Sequence, residues 1–255
     1  MANREPIQYE DRLIAFVDLL GFKQAVNNSV NHQVIAQKIY NILNYHNRLK
    51  EKNYSDGLAS GSDYGKEITF FSDCFVISYA IGRGGELNYL LSDVIFHALD
   101  LTSIGFLLRG GITFGQLVHQ GDICFGPAMN RAYELESICA SYPRILVDDV
   151  IINNICRFRP DCNSEEFEHE FMRTLISRDK DGKYFLNYLK QNSYFDDYVY
   201  YQNYLKYMRD FLICNLQQYQ NNKCVLEKYQ WYKEYYNEVI KQQIKDNYQY
   251  LFLIK

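Results

Sequence analysis

Arg12-Leu-Ile-Ala-Phe-Val-Asp18-Leu-Leu-Gly21 is an apolar run that stops at a carboxylate and then at a glycine. A short apolar run bounded by turn residues reads as a buried strand, so the spacing predicts a first strand ending at Asp18. Beyond it, Ile35, Ile39, Ile42, His46 and Leu49 mark the stripe of an amphipathic helix, and Asn53 to Gly65 reads as a polar loop. Glu67-Ile-Thr-Phe-Phe71 and Cys74-Phe-Val-Ile-Ser-Tyr79 are β-rich runs separated only by Ser72-Asp73, which is hairpin spacing. A second helical stripe follows at Leu87, Leu91, Val94, Ala98 and Leu101, and Gly105-Phe-Leu-Leu-Arg-Gly-Gly-Ile-Thr-Phe-Gly115 then reads as a glycine-studded strand.

The order is β-α-β-β-α-β, which predicts an α+β fold with the split, ferredoxin-like arrangement. Right-handed crossovers put the first and third strands side by side and antiparallel at the sheet centre. The end of the first strand and the hairpin before the third then share one sheet edge, so Asp18 and Asp73 converge although 55 positions separate them. Two carboxylates held together repel unless a cation sits between them or one is protonated. Magnesium or manganese suits such a site, because hard ions take oxygen ligands and keep positions open for phosphates. Turn chemistry alone also places Asp at strand ends and hairpins.

Composition narrows the function classes. Of 255 residues, 47% are hydrophobic and 23% charged, the range of an ordinary globular protein. The net charge of −4 (27 Lys+Arg against 31 Asp+Glu) and the lack of a basic run disfavour binding to nucleic-acid duplexes. The start of the chain has no basic region followed by a long apolar one, and no stretch reaches the roughly 20 apolar residues of a membrane helix, so a soluble, cytoplasmic protein is expected. Seven scattered cysteines without a CxxC pair fit a reducing compartment better than a disulfide framework or a zinc site.

Phe16-Val-Asp18-Leu-Leu-Gly21-Phe22 resembles the F-x-D-[IL]-x-G-F signature of class III nucleotidyl cyclases. Phe71-Ser-Asp73 falls where that family carries its second metal-binding aspartate, and Arg109-Gly-Gly-Ile-Thr-Phe-Gly115 looks like its R-x-G-I-x-x-G strand. Gly126-Pro-Ala-Met-Asn130-Arg-Ala-Tyr-Glu134-Leu-Glu136 resembles its G-x-x-V-N-x-A-x-R-L-E helix. With Tyr142-Pro-Arg-Ile145 following, the wording is most similar to the uridylate and cytidylate cyclases of the Pycsar antiphage systems. The likeness spans about residues 12–147. Adenylyl cyclases select their base with a lysine and an aspartate where this chain has Thr69 and Ile123, and Asp122 is one place off.

The resemblance implies a homodimer that cyclises UTP or CTP to cyclic UMP or cyclic CMP, an infection signal read by a separate effector protein. It implies two Mn²⁺ or Mg²⁺ ions per site, held by Asp18, Asp73 and the Leu19 carbonyl. Gly21 and the turn into the next helix would offer backbone amides to the outer phosphates, and Arg109 would supply a bidentate contact. Phe16, Phe22 and Thr69 would line the substrate pocket. Asn130 matches the transition-state asparagine that reaches across from a second subunit. The arginine expected four residues later is replaced by Glu134; Arg131 is the nearest substitute, although it lies about 300° from Glu134 around an α-helix. A plain ion pair with a glutamate is the other reading of Arg131.

Other features read as structural. His119 is expected as a polar hairpin residue, His46 as a hydrogen-bonded core histidine, and Cys74 as a packing residue turned to the opposite face from Asp73. Fifteen of the 24 tyrosines lie at or beyond Tyr184, and all 14 glycines at or before Gly182. That asymmetry predicts a catalytic region over 1–184 and a tyrosine-rich helical extension over 185–255. Lys180-Asp-Gly-Lys183 marks a last hairpin. Tyr201, Leu205, Met208, Leu212 and Leu216, and then Tyr229, Tyr232, Tyr236 and Val239, mark two helical stripes. A purine nucleotide cyclase and a nucleotide-binding pseudoenzyme with a partner-binding tail are the rival readings.

Overall fold

A computed structural model describes residues 7–51 and 65–255, with the backbone alone for 45–51. The side chains of His46 and Leu49, and all of the expected loop at 53–65 except Gly65, lie outside the described residues. Strand β1 (Glu10–Leu19) leads through helices α1 (Phe22–Ser29) and α2 (Gln33–Glu51) to the hairpin of β2 (Glu67–Phe71) and β3 (Cys74–Ala80). Helix α3 (Glu86–Ser103) and the long strand β4 (Leu108–Gln120) follow. The stripe Leu87, Leu91, Val94, Ala98 and Leu101 is wholly buried in α3, as its spacing predicts.

Among the described residues the sheet has eight strands, with β1 at the centre of its first half in the order β2-β3-β1-β4. β1 pairs antiparallel with both β3 and β4, setting Asp18 opposite Cys74 on one side and Arg109 on the other. Alternation then sorts the two faces. Leu13, Ala15, Val17 and Leu19 enter the main core with α3, whereas Ile14, Phe16 and Asp18 look to the other face, where Ile14 and Phe16 join Val76, Leu117, Ala128 and Ala132 in a smaller cluster.

Short β5 (Ile123–Phe125) folds back on β4, and α4 (Pro127–Glu134) lies over that second face. A Cβ on Gly111 would stand 2.4 Å from the Leu135 Cβ and 2.5 Å from the Ala132 carbonyl oxygen, so glycine is what allows α4 to sit down on β4. The expected single helix through Glu136 is broken: α4 runs into one π-helical turn, Leu135–Cys139. β6 (Ile145–Val147) adds parallel to β4, and after helices α5 (Asp149–Ile152) and α6 (Glu165–Leu175) the hairpin of β7 (Ile176–Arg178) and β8 (Tyr184–Leu186) extends the sheet through β8.

Helices α7 (Tyr198–Gln218) and α8 (Lys223–Gln243) complete the chain's long regular elements. Tyr201, Leu205, Met208, Leu212, Tyr232, Tyr236 and Val239 are buried in the same core as the sheet and α3. The tyrosine hydroxyls of these helices find partners inside it: Tyr204 and Thr102 share a hydrogen bond at 2.7 Å, and Tyr236 donates to the Leu205 carbonyl at 2.9 Å. The division expected at 184/185 falls inside β8, and the helices are continuous with the core rather than appended to it. Among the described residues, no helix is long and apolar enough to cross a membrane.

Candidate active site

Asp18 ends the second-face row of β1, and Asp73 sits in the two-residue turn between β2 and β3. The turn is tight enough that Ser72 takes a left-handed φ of 51°. The Leu19 amide donates to the Asp73 carbonyl at 2.9 Å, which ties the turn to the end of β1 and brings the two aspartates together. Arg109, opposite Asp18 in the register, completes the edge.

A third carboxylate joins them, one that belongs to the quoted helix motif but had no role assigned to it. Glu136, on the π-helical turn, is 3% exposed and accepts from Arg109 Nε at 2.5 Å, with Arg109 Nη2 on the same oxygen. The electrostatics record the crowding. Burial, then Glu136, then Asp73 push the Asp18 carboxyl up to about 6, against the opposing pull of Arg109 and the Leu19 amide. The Cys74 thiol lies among the same charges and is pushed up to about 12, by burial first and then by Asp18, Asp73 and Glu136. Cys74 therefore shares a face with Asp18; the expectation that it turns away counted alternation from Asp73, which belongs to the turn and not to the strand.

Gly21 caps α1 with a left-handed φ of 79°. The first amides of a helix have no intrahelical partner, so those of Phe22, Lys23 and Gln24 are open at this end of the sheet. The Phe22 side chain is elsewhere: 5% exposed, it packs against Phe106 with ring centroids 6.1 Å apart, and so lines no pocket. Phe16 is likewise covered, by α4 of its own chain, with the Tyr133 ring edge-on at 5.6 Å. Asn130 is exposed on α4.

Thr69 is corrected more strongly. It is 1% exposed, its hydroxyl donates to the Gly121 carbonyl at 2.5 Å, and His119 Nε2 lies 2.8 Å away. His119 is itself buried, and its Nδ1 lies 2.8 Å from Ser78 Oγ, which accepts from Arg12 Nε at 2.9 Å. Because Thr69 spends its proton on Gly121 and Ser78 Oγ accepts from Arg12, the chain of bonds assigns His119 as the neutral Nε2–H tautomer, donating to Thr69 and accepting from Ser78. Burial, then the Arg12 charge, hold its pKa down to about 4. His119 is a polar residue of the β4–β5 hairpin, as expected, and within it a buried hub, and Thr69 has no hydroxyl proton left for a base.

Arg131 is committed as well. Its Nε and Nη2 donate to the two oxygens of Asp148 at 2.9 and 3.0 Å, and Thr113 donates to the same carboxylate at 2.9 Å. These bonds raise Arg131 further above its usual range. Glu134 is 3.5 Å away on the exposed side. The ion-pair reading thus describes Arg131 in this chain, with Asp148 as the main partner.

Among the described residues, no group of three or more His, Cys, Asp or Glu side chains is placed to hold a metal. The donor set at the edge is instead two aspartates with a neighbouring backbone carbonyl, all hard oxygens. A carboxyl driven up to about 6 by burial and its carboxylate neighbours is one that a divalent cation would relieve, so these residues fit such an ion. Neither a protein-family model nor a curated protein matches the sequence.

Proposed function

We propose that the chain is a nucleotidyl cyclase, with a ferredoxin-like core of the class III kind and a pyrimidine nucleoside triphosphate, UTP or CTP, as substrate. The observation that carries this reading is the meeting of Asp18 and Asp73 beside Arg109, with the Asp18 carboxyl pushed up to about 6. The strand order β2-β3-β1-β4 with antiparallel neighbours on both sides of β1 supports it.

In this reading the Asp18 and Asp73 carboxylates and the Leu19 carbonyl would hold two Mg²⁺ or Mn²⁺ ions. When bound, the metal supplies positive charge that favours the 3′ alkoxide and neutralises the phosphates. The open amides after Gly21 receive the outer phosphates, and Arg109 offers its remaining nitrogen, Nη1, to a phosphate oxygen. The ribose 3′ hydroxyl would give its proton to solvent water as its oxygen bonds to the α-phosphorus; the bond from that phosphorus to the bridging oxygen would break, and pyrophosphate would leave. Asn130 is exposed on α4, and in this reading it would reach the site of a second copy in a homodimer. The product would serve as a signal in defence against phage, read by a separate effector.

The test is incubation of the full chain with each of the four ribonucleoside triphosphates and Mn²⁺, read by mass spectrometry beside Asp73→Ala. Cyclic UMP or cyclic CMP that disappears in the variant is the expected result. A cyclic purine product moves the substrate, and triphosphate binding without product from any of the four overturns the cyclase reading in favour of a pseudoenzyme.

A further inference from the structure

Arg144 lies far from solvent, 1% exposed, at the end of the segment that runs from the π-helical turn to β6. A buried guanidinium is expensive unless it is paired and hydrogen-bonded. Here the β7–β8 hairpin supplies the pairing: Asp179 and Asp181 both accept from Arg144, the latter at 3.0 Å from Nη1. Its guanidinium carbon lies 5.5 Å from the Tyr142 ring centre and 5.7 Å from that of Trp231 on α8. Trp231 Nε1 donates to Asp179 at 2.8 Å, closing the arrangement from the helical side.

The same hairpin holds the other end of the segment, because Lys183 Nζ donates to the carbonyl of Cys139, the last residue of the turn that carries Glu136. Between these two grips, the Arg144 carbonyl accepts from the Gly110 amide at 3.2 Å, next to Arg109. The bracket thus fixes both partners of the Arg109–Glu136 pair: Glu136 through Cys139, and the strand bearing Arg109 through Arg144.

We infer that Arg144, clamped by the β7–β8 hairpin and α8, is a positioning residue for Arg109, so that this clamp sets the affinity of the site for triphosphate. This rests on the reading of Arg109 as a phosphate ligand. Nothing in the clamp touches the reacting atoms; its effect passes through the orientation of one guanidinium. Loosening it weakens triphosphate binding and leaves the chemical step nearly unchanged.

Two readouts on the full-length protein test this. The variants are Trp231→Phe, which keeps the aromatic slab but removes the donor to Asp179, and Asp181→Asn, which weakens the clamp from its solvent side. The first readout is hydrogen exchange at the Gly110 amide, expected to quicken about tenfold in both variants while amides of β2 keep the wild-type rate. The second is binding of the 3′-deoxy analogues of the four triphosphates with Mn²⁺, in wild type, Trp231→Phe, Arg109→Ala and the double variant. The inference expects about tenfold weaker binding in each single variant and no further loss in the double, the signature of a clamp acting through Arg109. In turnover, KM rises by the same factor while kcat stays within about twofold. Unchanged Gly110 exchange, or losses that simply add in the double variant, overturns the inference. Analogues that fail to bind wild type while Gly110 exchange does quicken overturn the triphosphate reading instead, and with it the claim about affinity.

Discussion

Replacing Asp18 by asparagine is expected to stabilise the protein while abolishing the proposed cyclase activity. The carboxyl is lifted from its ordinary 3.8 to about 6, so the folded state favours the protonated form and ionisation above pH 4 works against the fold. A two-unit shift corresponds to about 3 kcal/mol at full strength, and solvent screening of this partly exposed group reduces it to about 1–2 kcal/mol. The sign follows from linkage: the stability is present at low pH and is lost as pH rises from about 4 to about 6. A neutral amide at this position carries no such penalty. At pH 8, Asp18→Asn should melt about 2–8 °C above wild type, given the roughly 2–4 °C per kcal/mol of a chain this size, and at pH 4 the two should melt together. Manganese at a hundredfold excess over its dissociation constant should stabilise wild type by about 2.7 kcal/mol, raising its melting temperature, and leave the variant unmoved. Thermal melts at both pH values with and without metal make the comparison. An Asp18→Asn protein that melts at or below wild type at pH 8 refutes the crowding argument.

Further expectations follow from the neighbouring elements. Because His119 is held neutral with its pKa down at about 4, it contributes stability that is lost as pH falls from about 6.5 toward 4. Melts of Asp18→Asn, where the opposing titration is gone, should fall across that window, and the fall should flatten when His119→Gln is added. Gly111→Ala drives a methyl group into Leu135 and the Ala132 carbonyl; chemical denaturation should register a loss of about 1–3 kcal/mol, and wild-type stability would mean that α4 can lift without penalty. With Arg131 bound to Asp148, Arg131→Ala should keep product formation within about tenfold of wild type, whereas Asp73→Ala removes it. A deficit as deep as that of Asp73→Ala would return Arg131 to the reacting phosphate.

Where the sequence was readable, one periodicity governed the outcome. Period-2 alternation in Leu13–Leu19 and 3.6-residue spacing in α3 each answer to one dominant force, burial of an apolar face, and strand order then follows from the rules of crossover connection. The meeting of Asp18 and Asp73 was legible for that reason. Glu136 was within reach: it lies four residues after Ala132 and eight after Ala128, on the buried side of a helix, and a carboxylate there demands a cation such as Arg109. Thr69, Phe22 and Phe16 were misplaced because what covers a side chain comes from distant segments. The hairpin carrying His119 folds over Thr69, Phe106 packs on Phe22, and α4 lies over Phe16, contacts that no local pattern announces. The change in composition at 184/185 likewise marks no break in the sheet. Tyrosine content changes there, but the sheet continues through β8 and the core is shared.

The bracket on Arg144 also has a meaning in time. A ribosome makes this chain from the N-terminus at about 5–20 residues per second. Asp18, Asp73, Arg109 and Glu136 all emerge well before Asp179, Asp181 and Trp231, the residues that hold their framework still. Until that last third is made, β6 is an open sheet edge and Arg144 a cation without its anions. A chain stopped before Asp179 would carry every acidic residue of the candidate site yet lack the frame that holds them.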